Sequence, residues 1–176
     1  EGGGLLLDLH THLLDQVVLM HGPVATVYAE LAAWTVTAED DTFVALRHTD
    51  GYSTHLSASS VAGAPGPRAR ITGSAGTFLL GSAGGEPTAF HDADGGPGQH
   101  GWLVRGDERE AVFARSSDPA DFYREVAAAL ASPDPQESMP VDPRDPVHVL
   151  AVIDAARISA AGGRVVDVIT PGEDPH

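Results

Sequence analysis

The spacing of apolar residues near the start of the chain is the sequence feature that most restricts the fold. Leucine, valine and methionine recur at three- and four-residue steps, at Leu5, Leu6, Leu9, Leu13, Val17 and Met20. This spacing is typical of an amphipathic helix whose apolar stripe faces a core. The following Gly22-Pro23 pair is a helix stop. We therefore expect one helix from about Leu5 to Met20.

The polar residues of the same segment have different meanings in a helix and in a strand. A helix places Asp8, His12 and Asp15 at i, i+4 and i+7, on one exposed polar stripe. It also separates His10 from His12 by about 200°, so that these two side chains cannot share a metal ion. A strand would instead point both histidines to one side. The apolar spacing favours the helix.

The strand alternative carries its own functional hypothesis. Read as a strand, His10-Thr11-His12 resembles the metal-binding opening of amidohydrolase and PHP-type hydrolases. A metal-dependent hydrolase of that kind predicts further histidine and aspartate ligands on later strands. Its barrel normally needs about 200 residues or more, and the later pattern of this chain is antiparallel.

Read as a helix, the opening resembles a different family. Gly2-Gly3-Gly4 before a helix with Asp-x-x-x-His-x-x-Asp is similar to the start of the C-terminal domain of the glucose–fructose oxidoreductase/inositol dehydrogenase/MocA family. Three later segments are similar to that domain in the same order: Ala69–Leu80 to a strand–turn–strand, Phe122–Leu130 to a helix, and Asp145–Val166 to the final helix and tail. The family usually has glycine where this chain has His10.

The resemblance implies a chemistry and a set of site residues. Members of the family are NAD(P)-dependent oxidoreductases that act on sugars, inositols or related secondary alcohols. By resemblance, His12 is the proton-transfer residue, and Asp8 is its partner or a ligand of a substrate hydroxyl. Asp15 is a candidate substrate-binding residue. His10, on the far side of the helix, is assigned to packing or to a secondary substrate contact. No residue is assigned to a metal or to the cofactor.

Two features of the family are missing from this sequence. All ten basic residues are arginine, whereas the family uses a lysine from its nucleotide-binding half beside the aspartate and histidine. The glycine-rich turn that dinucleotide binding requires between a strand and a helix is also missing. We therefore interpret residues 1–176 as a single domain, the C-terminal half of a two-domain oxidoreductase whose Rossmann domain is absent from this chain. We expect NAD or NADP in the full-length protein, and neither cofactor binding nor activity from this part alone.

Composition excludes several other classes of protein. The formal net charge of −15 disfavours nucleic acid and anionic membrane surfaces as partners. No apolar run reaches the roughly 18 residues that a membrane span needs. The absence of cysteine excludes disulfides and thiolate-bound zinc, and predicts a cytoplasmic location.

The rest of the chain predicts an α+β fold. Short turns such as Asp50-Gly51 join consecutive apolar–polar alternations, which favours a mainly antiparallel, open-faced β-sheet with helices packed on one face. The expected strands are Val24–Trp34, Thr42–His48, Tyr52–Val61, Arg68–Thr72, Thr77–Leu80, Thr88–His91, Trp102–Arg105, Ala111–Ala114 and Arg164–Val168, and the later helices are Asp121–Ala131 and Pro146–Ala161.

The uncovered face of such a sheet predicts a partner. We expect a homodimer or a higher homo-oligomer through this face, because a large exposed apolar patch usually marks an interface. The candidate residues are Tyr28, Val44, Leu46, Tyr52 and Leu56, and the strand register decides which of them lie on the uncovered face. A domain that has kept this sheet but lost the chemistry would be a catalytically silent dimerisation or ligand-binding module, and that hypothesis stays open beside the oxidoreductase.

Overall fold

The computed structural model describes residues 3–63, 68–80, 99–113, 118, 120–142 and 145–171. Its elements are α1 (Leu5–His21), β1 (Val24–Ala32), β2 (Asp41–His48), β3 (Ser53–Ser59), β4 (Ala69–Gly73), β5 (Gly76–Leu80), β6 (Gln99–Arg105), β7 (Glu108–Phe113), α2 (Ala120–Leu130), α3 (Asp145–Gly162) and β8 (Val166–Asp167). The expected α+β class with open antiparallel sheets is confirmed. The strand predicted at Thr88–His91 lies outside the described residues.

The strands form two four-stranded sheets instead of one. The chain divides into two compact units, residues 1–61 with 128–176, and residues 62–127. The sheet of the first unit has the order β3-β2-β1-β8, and that of the second has the order β4-β5-β6-β7. All of the pairings are antiparallel. Among the described residues, no helix is long and apolar enough to span a membrane.

In the first unit, α1 and α3 cover the same face of the sheet. Helix α1 lies over β2 and β3, α3 lies over β1 and β8, and the two helices touch. The strand residues beneath them form rows across the sheet: Val27–Leu46–Thr54, Ala29–Val44–Leu56 and Leu31–Thr42–Ala58. The largest fully buried apolar side chains in this core are Leu6, Leu14 and Ile153. The helices therefore bury one face and leave the other uncovered.

This register corrects the expected composition of the uncovered face. Val44 and Leu46 are buried under the helices, and Leu56 packs against the same core, so these three candidates lie on the covered face and not on the open one. Because side chains alternate along a strand, a register that turns Val44 inward turns Phe43 and Ala45 outward. The open rows are Thr26–Arg47–Ser53, Tyr28–Ala45–His55, Glu30–Phe43–Ser57 and Ala32–Asp41–Ser59.

Helix α1 has the expected extent but a different buried stripe. It ends at Gly22, whose φ of 77° lies in the region that favours glycine. Its buried residues are Leu6, His10, Leu14 and Val17, whereas Leu9 and Met20 are 41% and 52% exposed. The helix carries apolar residues on more than one side. Its rotation about its own axis is therefore decided by contacts with the sheet.

The second unit contains an antiparallel meander. The hairpin predicted around Gly73-Ser-Ala-Gly76 is present between β4 and β5. Strand β6 pairs with β5 on one side and with β7 on the other. The turn from β6 to β7 contains Gly106 at φ 59°, a conformation that glycine adopts without steric cost.

Candidate functional site

Helix α1 presents the three predicted polar residues along one exposed line. Asp8, His12 and Asp15 are all exposed, and the helical period places them opposite the buried stripe. Within the part of the chain that the structure describes, no hydrogen bond or ion pair occupies any of the three side chains. Two carboxylates and an imidazole are therefore available along about two turns of one helix.

The N-terminus of α1 lies against Glu39. The Leu5 N–H donates to the backbone oxygen of Glu39 at 3.0 Å. A Cβ atom on Gly4 would overlap the carboxyl group of Glu39, so a larger residue would require the end of the Glu39 side chain to move. Gly4 precedes the first turn of α1, and its backbone oxygen accepts a hydrogen bond from the Asp8 N–H at 3.0 Å. The Glu39 carboxyl therefore lies beside the N-terminus of α1. Glu39 was not predicted from the sequence. The glycine run before α1 was the one feature that could have indicated a close neighbour at this end of the helix.

Asp40 holds the loop that carries Glu39. The Asp40 carboxylate accepts hydrogen bonds from the Thr35 hydroxyl at 2.6 Å, the Trp34 N–H at 2.8 Å and the Thr35 N–H at 2.7 Å. These bonds, led by the Thr35 hydroxyl and followed by the Trp34 N–H, stabilise the carboxylate and lower the pKa of Asp40 to about 2. The loop is therefore braced by an ionised aspartate at all ordinary pH values.

His10 lies inside the unit. It is fully buried, and its Nε2 atom lies 2.8 Å from the Thr42 hydroxyl. The Thr42 hydroxyl donates its one proton to the Ala58 carbonyl at 3.0 Å, so the imidazole must donate from Nε2. Burial lowers the pKa of His10, which favours the neutral ring. This buried position agrees with the packing role and leaves the imidazole out of reach of a substrate on the exposed line of α1.

The geometry excludes the strand reading of His10-Thr11-His12. The two histidines lie on a helix, with His10 buried and His12 exposed. They therefore cannot converge on one ion. Among the described residues, no three histidine, aspartate or glutamate side chains are grouped so that they could hold a metal. The described strands and helices also contain no glycine-rich strand-to-helix turn of the dinucleotide-binding type.

Comparisons with known proteins agree with this fold. The model of the GFO/IDH/MocA C-terminal domain matches residues 1–79. In structure, the chain is similar to yvaA from Bacillus subtilis, with a TM-score of 0.73 and 23% identity over 95% of this chain and 53% of that one. It is also similar to an oxidoreductase from Agrobacterium radiobacter in complex with NAD+, L-tartaric acid and magnesium, with a TM-score of 0.68 and 22% identity over 93% of this chain and 48% of that one.

A third similar structure is a levoglucosan dehydrogenase in complex with NADH, with a TM-score of 0.68 and 19% identity over 96% of this chain and 51% of that one. The chain thus spans about half the length of these solved relatives. No curated protein matches it. The chain therefore has the same α+β fold as these solved structures. The family model covers residues 1–79, a little under half of the 176-residue chain.

Proposed function

We propose that this chain is the substrate-binding and dimerisation half of an NAD(P)-dependent oxidoreductase that acts on a sugar, an inositol or a related secondary alcohol. The observation that carries the proposal is the line of Asp8, His12 and Asp15 on the outer face of α1, directly after the glycine run. The complexes of two solved relatives with NAD+ and with NADH support the cofactor class.

The residues on this line suit proton transfer to and from an alcohol. Oxidation of a secondary alcohol removes the hydroxyl proton and a hydride from the carbon. The nicotinamide cofactor of the full-length protein would supply the hydride acceptor. Histidine exchanges protons near neutral pH, so His12 takes the hydroxyl proton in one direction and returns it in the other. Asp8, one turn away, orients the imidazole and stabilises its protonated form. Asp15 accepts a hydrogen bond from a further substrate hydroxyl.

The cofactor would be held by another part of the full-length protein. The described residues do not fit a dinucleotide, because they lack the glycine turn that lets a backbone approach a pyrophosphate. The proposed contribution of this chain is therefore limited to the substrate and to its proton.

The proposal is tested in the full-length protein from the natural gene. NAD+ or NADP+ reduction is measured on a panel of sugars and inositols for the wild type, His12→Asn and Asp8→Asn. Loss of a positioned acid–base residue typically costs about 10²- to 10⁴-fold in rate, and we expect His12→Asn to fall in that range. His100→Asn, an exposed histidine of β6, is the matched control and should keep wild-type rates.

The same experiment distinguishes the oxidoreductase from a catalytically silent module. An inactive wild type, or full activity in both His12→Asn and Asp8→Asn, would refute the catalytic role and leave a dimerisation or ligand-binding module.

A further inference from the structure

We propose that His10 is a positioning residue that fixes the rotation of α1 about its own axis, and with it the direction in which Asp8 and His12 project. The structural part of this inference stands on the hydrogen bonds of His10, while its catalytic consequence rests on the proposed function. His10 itself is fully buried and touches no substrate.

Apolar packing alone leaves the rotation of α1 weakly determined. One stripe of the helix carries Leu6, Leu14 and Val17, and it is buried. A second apolar stripe carries Leu5, Leu9, Leu13 and Met20. With 100° per residue, the centres of the two stripes are roughly 90° apart. Burial of the second stripe would turn His12 by the same angle, from the outer line to the side of the helix.

The hydrogen bonds of His10 distinguish these two rotations. The imidazole donates from Nε2 to the Thr42 hydroxyl, which donates in turn to the Ala58 carbonyl. This chain of bonds joins α1 to β2 and β3. Apolar contacts tolerate sliding and rotation, but a hydrogen bond weakens steeply with misalignment. A buried donor that loses its acceptor is costly, so the observed rotation is favoured over its neighbours.

The polar atoms of His10 agree with an anchoring role. Among the described residues, nothing donates to its Nδ1 atom, so the ring makes its one hydrogen bond through Nε2. An isosteric apolar residue would satisfy the packing equally well without this bond. A test of the anchoring role therefore has to remove the hydrogen bond between His10 and Thr42 and keep the packing.

The test uses the 176-residue chain with His10→Leu, His10→Gln and Thr42→Val. Leucine fills the site without a donor, glutamine restores an N–H donor at similar reach, and valine removes the acceptor. Leu14→Met is the matched control, because it changes the same buried stripe with little change in volume. The readout is paramagnetic relaxation of leucine and valine methyl groups by a soluble gadolinium chelate.

In the wild type, His10→Gln and Leu14→Met, we expect strong relaxation at Leu9 and weak relaxation at Leu6. In His10→Leu, Leu9 and Leu13 should lose relaxation while Leu6 gains it. Thr42→Val should change in the same direction, and it decides the question if His10→Leu does not fold. If His10→Leu folds and keeps the wild-type relaxation pattern, packing alone sets the rotation of α1. If His10→Leu does not fold, the wild-type pattern in Thr42→Val would show the same.

Activity of the full-length protein tests the catalytic consequence. His10→Leu should lower kcat more than it raises KM, and His10→Gln should recover most of the loss. If His12→Asn is as active as the wild type, the proposed function fails, yet the methyl pattern still reports on rotation. If His12→Asn is inactive and His10→Leu is fully active, the positioning role fails while the function stands.

Discussion

Two histidines separated by one residue have opposite environments in this protein. His10 is fully buried in the first unit, and His12 is exposed on the outer line of α1. The helical period alone produces this contrast, since it turns the two side chains about 200° apart. The pair shows that a histidine-x-histidine sequence on a helix can place one imidazole in the core and the other at the surface.

Burial of His10 predicts a pH dependence of stability. Its pKa in the folded state lies below the ordinary value of 6.5, so the unfolded chain binds more protons as the pH falls below 6.5. The free energy of unfolding should therefore fall between pH 6.5 and the lowered pKa, by at most about 1.4 kcal/mol per pH unit for one group. Urea unfolding at pH 7.5 and 5.5 measures this. His10→Gln should flatten the dependence, and an unchanged slope would contradict the assignment.

Gly4 predicts a steric effect that a second substitution relieves. In Gly4→Ala, the new methyl group would overlap the Glu39 carboxyl. Because the end of this side chain can move aside, we expect a loss below about 1 kcal/mol in the free energy of unfolding. In the Glu39→Ala background, where this carboxyl is gone, Gly4→Ala should cost much less. Thermal or urea unfolding of the four proteins gives the coupling. Additive effects would show that Glu39 does not occupy the space beside Gly4.

At the scale of elements, α3 completes the hydrogen bonding of β1. Strand β8 pairs with β1 only at Thr26 and Val27. Beyond β8, the Ala29 N–H donates to the buried Ser159 hydroxyl of α3 at 2.9 Å. The same hydroxyl donates to the Arg164 carbonyl at 2.6 Å. One serine therefore links the helix, the strand and the turn after the helix.

This link predicts a large effect from a small substitution. Ser159→Ala leaves the Ala29 N–H without its acceptor inside the unit, and an unsatisfied buried group costs about 1–3 kcal/mol. We expect that loss in urea unfolding, together with faster amide hydrogen exchange at Ala29. Ser57→Ala on the exposed side of β3 is the control and should change stability little. Equal effects from the two substitutions would disprove the special role of Ser159.

At the scale of the whole molecule, the open face of the first unit is more polar than the sequence suggested. The Tyr28 hydroxyl donates to the Glu30 carboxylate at 2.7 Å, and the rings of Phe43 and His55 lie 5.9 Å apart. Asp41 and Arg47 lie at opposite ends of the outward side of β2. Two copies can stack face to face about a two-fold axis that lies between the sheets and runs at right angles to β2. The β2 strands of the two copies then run in opposite directions, so that Arg47 of each copy faces Asp41 of the other.

We predict a homodimer through this face. Light scattering at micromolar concentration should give a mass near twice 18.2 kDa. Arg47→Asp should weaken the dimer several-fold, because it places like charges opposite each other. The double substitution Asp41→Arg with Arg47→Asp should recover it. A monomer at every concentration would refute the dimer, and a dimer unaffected by Arg47→Asp would refute this arrangement.

Local pattern in the sequence predicted most of the elements. The extent of α1 followed from three- and four-residue apolar spacing and from Gly22. The β2–β3 hairpin followed from Asp50-Gly51, and α3 from the segment between a proline-rich loop and Gly162-Gly163. These signals are short-range: each depends on residues within a turn or two of one another, so one sequence contains them completely. The exposed line of Asp8, His12 and Asp15 was predictable for the same reason, because the three residues lie within two turns of one helix.

The tertiary structure decided the remaining features, because each depends on residues far apart in sequence. The rotation of α1 follows from the bond between His10 and Thr42, 32 positions away. The inward position of Val44 follows from pairing register, which a one-residue shift would reverse. The division of the strands into two sheets and the place of Glu39 beside Gly4 are likewise long-range. Local periodicity identifies which segments form helices and strands, but only packing determines which of their faces meet.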